Sequence, residues 1–151
     1  MNRLIDNSLG KIMQVLTRRL HIETKGPNDL VNITDLVKDV LAQVSMEDGL
    51  VNIFVVGSTA AITSFEYESG MIADMQEFYE KIASQQAHYM HDETWNDANG
   101  FSHVRAAIQG PSIIVPFEKA TILLGVWQQI VLVEFDTRPR QREIILTFIG
   151  I

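Results

Sequence analysis

Apolar positions along this chain alternate between a period of two and a helical period, and the changes of period divide it into elements. Over residues 11–24, Ile, Val, Leu and Thr interleave with polar side chains, which predicts a strand. Gly26-Pro27-Asn28 breaks it. Leu36, Val37, Val40, Leu41 and Val44 then recur at helical spacing, predicting a helix capped by Asn32 or Thr34 and running to about Ser45. Asp48-Gly49 turns the chain into a β-branched strand over 50–56, and a second strand follows Gly57 over 60–67. Ile72, Met75, Phe78, Tyr79 and Ile82 form one stripe of a helix over 72–85. A polar loop covers 86–101, and Ser102 is placed to cap a short helix that ends before Gly110-Pro111. The remainder is strand-like over 112–117, 121–124, 126–136 and 140–148, with Pro139 marking a turn.

This pattern gives about seven strands and about three helices, with the strands gathered towards the two ends of the chain. The last connections are too short for crossovers, so those strands are expected to be antiparallel. The fold class is therefore α+β: a sheet or sandwich core with helices, in a single domain over 1–151.

Composition narrows the function more than the fold. A hydrophobic fraction of 46% and a charged fraction of 21% are ordinary for a soluble domain. No apolar run approaches the roughly eighteen residues of a membrane span, and the N-terminus lacks the layout of a signal peptide. A cytoplasmic location is expected. The formal charge of −7 argues against a general nucleic-acid binder, which needs basic surface to neutralise phosphates. With no cysteine there is no thiolate nucleophile, and a metal would depend on histidines and carboxylates.

The polar groups gather between Tyr89 and His103, just before a helix start. His91, Asp92, Asp97, Asn99, Ser102 and His103 all fall there, more than packing between two apolar segments requires. His91 and His103 read either as metal ligands or as hydrogen-bonding residues that tie the loop down. Asp97 is a candidate base. Glu66 and Glu68 share a strand face, so Glu66 is a candidate third ligand or base, against the reading of two solvated glutamates. His88 reads as solvated and His21 as structural.

Gly57-Ser58-Thr59-Ala60 follows a buried strand where free amides and hydroxyls could accept an anion, although a tight turn explains the same residues. It lacks the Gly-Lys-Ser/Thr ending of a nucleotide-binding P-loop. Arg138, Arg140 and Arg142 alternate, so on a strand they face one way, towards a small phosphorylated ligand or towards solvent. Trp127-Gln128-Gln129 interrupts an apolar strand and is expected to turn one face to a pocket or a neighbouring subunit.

Taken in order, these segments resemble the YjbQ family. The resemblance rests on Gly57-Ser58-Thr59-Ala60-Ala61 with Glu66, Tyr89-Met90-His91, and Asp97-Ala98-Asn99-Gly100-Phe101-Ser102-His103-Val104-Arg105-Ala106. It continues through Gly110-Pro111-Ser112, Val115-Pro116, Leu124-Gly125-Val126-Trp127-Gln128-Gln129-Ile130, Glu134-Phe135-Asp136 and Arg140-Gln141-Arg142. It implies an α+β fold, a homotrimer, and a polar pocket whose histidines, here His91 and His103, hold a divalent metal such as zinc or magnesium. It also implies a secondary thiamine-phosphate synthase activity, which joins a pyrimidine diphosphate to a thiazole phosphate and releases pyrophosphate. Ser58, Thr59, Asn99, Ser102, Arg105, Gln128, Arg140 and Arg142 would then contact substrate. The chain departs from the family at Gly57, where many members carry histidine, so a three-histidine site is absent at the matched positions. Two alternatives stay open: a metal-dependent hydrolase or lyase of a small phosphorylated metabolite, and a non-catalytic ligand-binding trimer.

Overall fold

The computed structural model of the protein describes residues 12–151. Its first half holds β1 (Gln14–Glu23), β2 (Asp29–Asn32), α1 (Thr34–Gln43), β3 (Gly49–Val56), β4 (Ala60–Glu66) and α2 (Ser69–Ile82). Its second half holds α3 (Met90–Trp95), α4 (Gly100–Gln109), β5 (Ser112–Glu118), β6 (Thr121–Ile122), β7 (Gln128–Glu134) and β8 (Gln141–Gly150). The α+β class holds, with eight strands and four helices among the described residues.

All strand pairings are antiparallel, in a five-stranded sheet ordered β1-β8-β3-β5-β6 and a three-stranded sheet ordered β2-β7-β4. The short connections before and after β7 do not make hairpins. They carry the chain from one sheet to the other and back.

The layers follow from alternation. Val51, Ile53 and Val55 of β3 and Ile144, Leu146 and Phe148 of β8 point inward, where they meet α1 and one face of β4 and β7. The other face of the small sheet carries Ala61, Val131 and Val133, which pack with Phe135 beneath Tyr79 of α2 and Ala106 of α4. Strand β7 is thus covered on both faces, and it is apolar without a break from Ile130 to Val133. That covering forces the carboxylate of Glu134, the next residue, into the interior.

Several sequence expectations change. Lys11 lies outside the described residues. Strand β2 was not expected; only four residues long, it lies at the edge of the small sheet against β7. The cap of α1 is neither Asn32 nor Thr34 but Ile33, and Leu36 of the expected apolar face is exposed. Trp127 stands in the turn before β7 and is exposed, because Gly125 to Gln128 closes on itself ahead of the strand.

Helix α2 begins earlier than its apolar stripe suggests. Glu68 caps it, its carboxylate accepting the Gly70 and Met71 backbone N–H groups. Glu68→Ala is expected to lower stability by about 1 kcal/mol, the usual worth of a cap, read as a lower urea midpoint.

Candidate functional site

The start of β4, the end of β7 and the start of β8 meet at one end of the layers, where β4 pairs Ala60 with Glu134. Glu134 is fully buried and must be paired. Arg142 supplies the pair: its Nε donates to Oε2 at 2.6 Å and its Nη2 to Oε1 at 2.5 Å. Thr24 donates to the same carboxylate at 2.8 Å. Nη2 of Arg142 also donates to Thr59 Oγ1, and Thr59 in turn donates to Asp136 Oδ2 at 3.1 Å.

Arg140 Nε donates to Asp136 Oδ2 at 2.8 Å. Burial alone would raise the Asp136 carboxyl pKa. The hydrogen bonds from Arg140, the Thr137 N–H and the Thr59 hydroxyl outweigh it and hold the group below the ordinary carboxylate range. The result is a frame of two arginines, two carboxylates and two threonine hydroxyls at the mouth of the sandwich.

Helix α4 lies beside this frame and carries His103. Helix α3, which the sequence pattern did not predict, brings His91 to it. The two helices meet at Gly100, where a Cβ would lie 2.4 Å from Tyr89 Cβ, so only glycine allows the approach. Asp92 Oδ1 fixes the contact by accepting the Gly100 N–H at 2.8 Å. The loop between the helices is tight, with Asn96 and Ala98 both left-handed at φ 53° and 51°.

The outcome is a pair of imidazoles with ring centroids 4.3 Å apart and planes inclined at 49°. His91 Nε2 lies 3.8 Å from Asp97 Oδ1. That nitrogen and Asn99 Oδ1 are both buried without a hydrogen-bond partner among the described residues, a costly condition for polar atoms unless something else meets them.

His103 faces a cleft of about 380 Å³ lined by Gly57, Ser58, Ala60, Ala106, Ala107 and Pro111. Its pKa is lowered, first by burial and then by the neighbouring His91, against the pull of Asp97, Asp136 and Asp92. His91→Ala is therefore expected to raise the His103 pKa and Asp97→Asn to lower it further. An NMR titration of the imidazole protons reads both, and a His103 that ignores His91→Ala would break the pairing.

The sequence candidates sort cleanly on this frame. His91, His103, Asp97, Asn99, Ser58, Thr59, Arg140 and Arg142 come together at one end. Glu66 does not, because β4 pairs it with Gln128 at the far end of the strand, roughly 20 Å from Ala60 at about 3.3 Å per residue. Neither Glu66 nor Gln128 reaches the histidines within one chain; the Gln128 amide instead donates to Ser64 at 3.0 Å.

Arg105 points away from the cleft. It is completely buried, donating to Ala83 O at 2.8 Å, Asn28 Oδ1 at 2.8 Å and Glu80 Oε2 at 2.6 Å. Ser102 does not cap α4, which starts at Gly100 with Asn99 as its N-cap. Its hydroxyl is buried and donates to Phe135 O at 2.5 Å. His88 pairs with Glu93 on the surface, and His21 is exposed.

A family profile described as UPF0047 protein YjbQ-like matches residues 18–151. The chain belongs to the YjbQ family. A UPF0047 protein of Archaeoglobus fulgidus is 35% identical over 127 residues, covering 84% of this chain and 96% of the relative. One from Methanothermobacter thermautotrophicus is 35% identical over 141 residues, covering 93% and 96%. The crystal structure of a YbjQ-like protein from Sulfolobus solfataricus superposes with a TM-score of 0.87 at 28% identity, covering 93% of this chain and all of that one.

Within this YjbQ chain, sequence reasoning passed over Glu134 and Asp136 as site residues. The signal was present: two acidic residues flanking Phe135 at the end of an apolar run too long to belong to a solvated strand.

The family resemblance implies a metal held by the histidines. The donors at hand are two imidazoles and the Asp97 carboxylate, and no group of three or more such side chains placed to hold an ion occurs among the described residues. Among the described residues of one chain, these donors alone do not complete a metal site.

Proposed function

We propose that the chain is an enzyme acting on a small phosphorylated metabolite, with His103 as general base and His91 as the group that tunes it. The observation that carries this reading is the imidazole pair at the cleft. His103 has its pKa held down by burial and by His91, so it is neutral near pH 7 and free to accept a proton. Ala60, Ala106, Ala107 and Pro111 line the cleft beside the ring, and the arginine frame lies at the same end of the sheet. Hydrolysis or elimination at a phosphorylated carbon skeleton needs this combination of a base and nearby donors.

The transferase form of the reading asks less of His103. In thiamine-phosphate synthesis the ring would donate a hydrogen bond to the departing pyrophosphate rather than accept a proton. Incubation with a pyrimidine diphosphate, a thiazole phosphate and magnesium, followed by phosphorus NMR, separates the two. Pyrophosphate released together with thiamine phosphate supports the transferase. Turnover of the monophosphate alone supports the hydrolase or lyase.

A second reading has one observation behind it, the partnerless buried Nε2 of His91. A zinc or magnesium ion held by His91 and His103 would satisfy it, with the remaining ligands supplied by water, substrate or another copy of the chain. Metal analysis of the purified protein tests this: a stoichiometric ion that is lost in His103→Ala supports it, and an equal metal content in both sinks it.

We further infer self-association, as a trimer on the family resemblance, through the outer face of the five-stranded sheet. There Val15, Ile149, Leu50 and Pro116 line up across four strands, with no helix among the described residues over them. Sedimentation equilibrium gives the subunit number directly.

A further inference from the structure

We propose that the cleft contains an oxyanion subsite whose floor is Nη1 of Arg142, reached through the space that Gly57 leaves by having no side chain. This rests on the reading of the cleft as the substrate site and names the group that anchors substrate there: a phosphate or carboxylate.

Arg142 is a buried residue with only 9% of its side chain exposed, yet its guanidinium is not fully used. Nε and Nη2 are committed to Glu134 and Thr59, while Nη1 donates to nothing among the described residues. The two N–H groups of Nη1 are thus uncommitted on an otherwise buried guanidinium, and Nη1 is not one of the buried polar atoms left without a partner, so it is open to a ligand or to water. Those donors lie against Gly57. A Cβ at position 57 would stand 2.9 Å from Nη1, and apart from Cζ of the same arginine nothing else would lie within 4 Å. Gly57 also has φ +143°, a conformation that side chains rarely adopt, so the backbone itself keeps this position bare.

The same glycine lines the cleft, next to Ser58. The Ser58 hydroxyl is exposed and has no hydrogen-bond partner among the described residues. A tetrahedral or planar oxyanion seated over Gly57 would accept from Nη1 on one side and from Ser58 on the other, with His103 across the cleft.

Charge explains the specificity this arrangement can have. Two carboxylates, Glu134 and Asp136, balance Arg142 and Arg140, so the frame has no large positive field. Recognition therefore depends on directed N–H and O–H donors, which favours oxygens held in one geometry over anions in general.

The test uses inorganic phosphate and acetate as separate probes of the full-length protein, followed by calorimetry and by the nitrogen resonances of arginine side chains. One or both probes are expected to bind and to shift the Arg142 resonances, and the tighter probe identifies the anchor as phosphate or carboxylate. Gly57→Ala fills the opening and is expected to weaken binding about tenfold or more, the worth of a charge-assisted hydrogen bond. Ser58→Ala, an exposed change that leaves the backbone alone, is expected to weaken it several-fold and covers the case in which Gly57→Ala does not fold. Arg142 resonances unmoved by either probe, or binding unchanged in Ser58→Ala and in folded Gly57→Ala, overturns the subsite. Binding is read here without turnover. A protein that takes phosphate on Arg142 but transforms nothing keeps this subsite and loses the acid–base reading.

Discussion

Arg142→Met is expected to destabilise the protein by about 3–5 kcal/mol, the cost of leaving one member of a buried ion pair alone. Glu134 has no access to water, and Arg142 supplies two of its strongest hydrogen bonds. Without the guanidinium, the carboxylate keeps only the Thr24 hydroxyl and the Asp136 N–H among the described residues. A loss of that size is a large share of the stability of a domain this long. The double replacement Arg142→Met with Glu134→Met removes the stranded charge and is expected to recover most of the loss. Urea denaturation of both variants checks the argument. A double variant no more stable than the single one would mean that the pair shapes the fold by more than charge compensation.

His103→Gln is expected to slow turnover about 10²–10⁴-fold, the range lost with a positioned acid or base. The stability should hardly change, because the His103 ring makes no hydrogen bond among the described residues and glutamine fills similar space at the cleft. The pH dependence carries the sign. Only the neutral ring accepts a proton, and its pKa lies below the ordinary 6.5 of histidine. The rate should therefore fall on the acid side, through a pKa lower than 6.5, and level off as the pH rises beyond it. In His91→Ala that acid limb should move to higher pH, since one of the influences holding His103 down is gone. A limb that stays put would assign it to another group.

Much of the fold was legible because its strongest signals are local. The apolar, β-branched runs of β3, β4 and β8 announce strands on their own, whereas of the expected α2 stripe only Tyr79 is buried and Phe78 and Ile82 are exposed. What the sequence concealed depends on contacts between layers. Strand β2 is too short to show a period, and it exists because β7 offers it an edge. Helix α3 has too few residues for a stripe and is held by Gly100 and Asp92.

The site divides the same way. His91, Asp97 and His103 are readable as polar groups crowded ahead of a helix, whereas Glu66 looked equivalent until strand register placed it at the opposite end of β4. Arg105 illustrates the limit most clearly. A cation on an amphipathic helix could face ligand or core, and only acceptors from other segments, Glu80, Ala83 and Asn28, decide for the core.

The central claim is that the chemistry lies at the Glu134 end of the small sheet, around His91 and His103. Amide NMR of the labelled protein titrated with a thiazole phosphate tests it most directly. The account requires shifts at Gly57, Ser58, Asp97 and His103, with Glu66 and Gln128 unmoved. Shifts confined to Glu66 and Gln128, with the histidine loop unchanged, would contradict it.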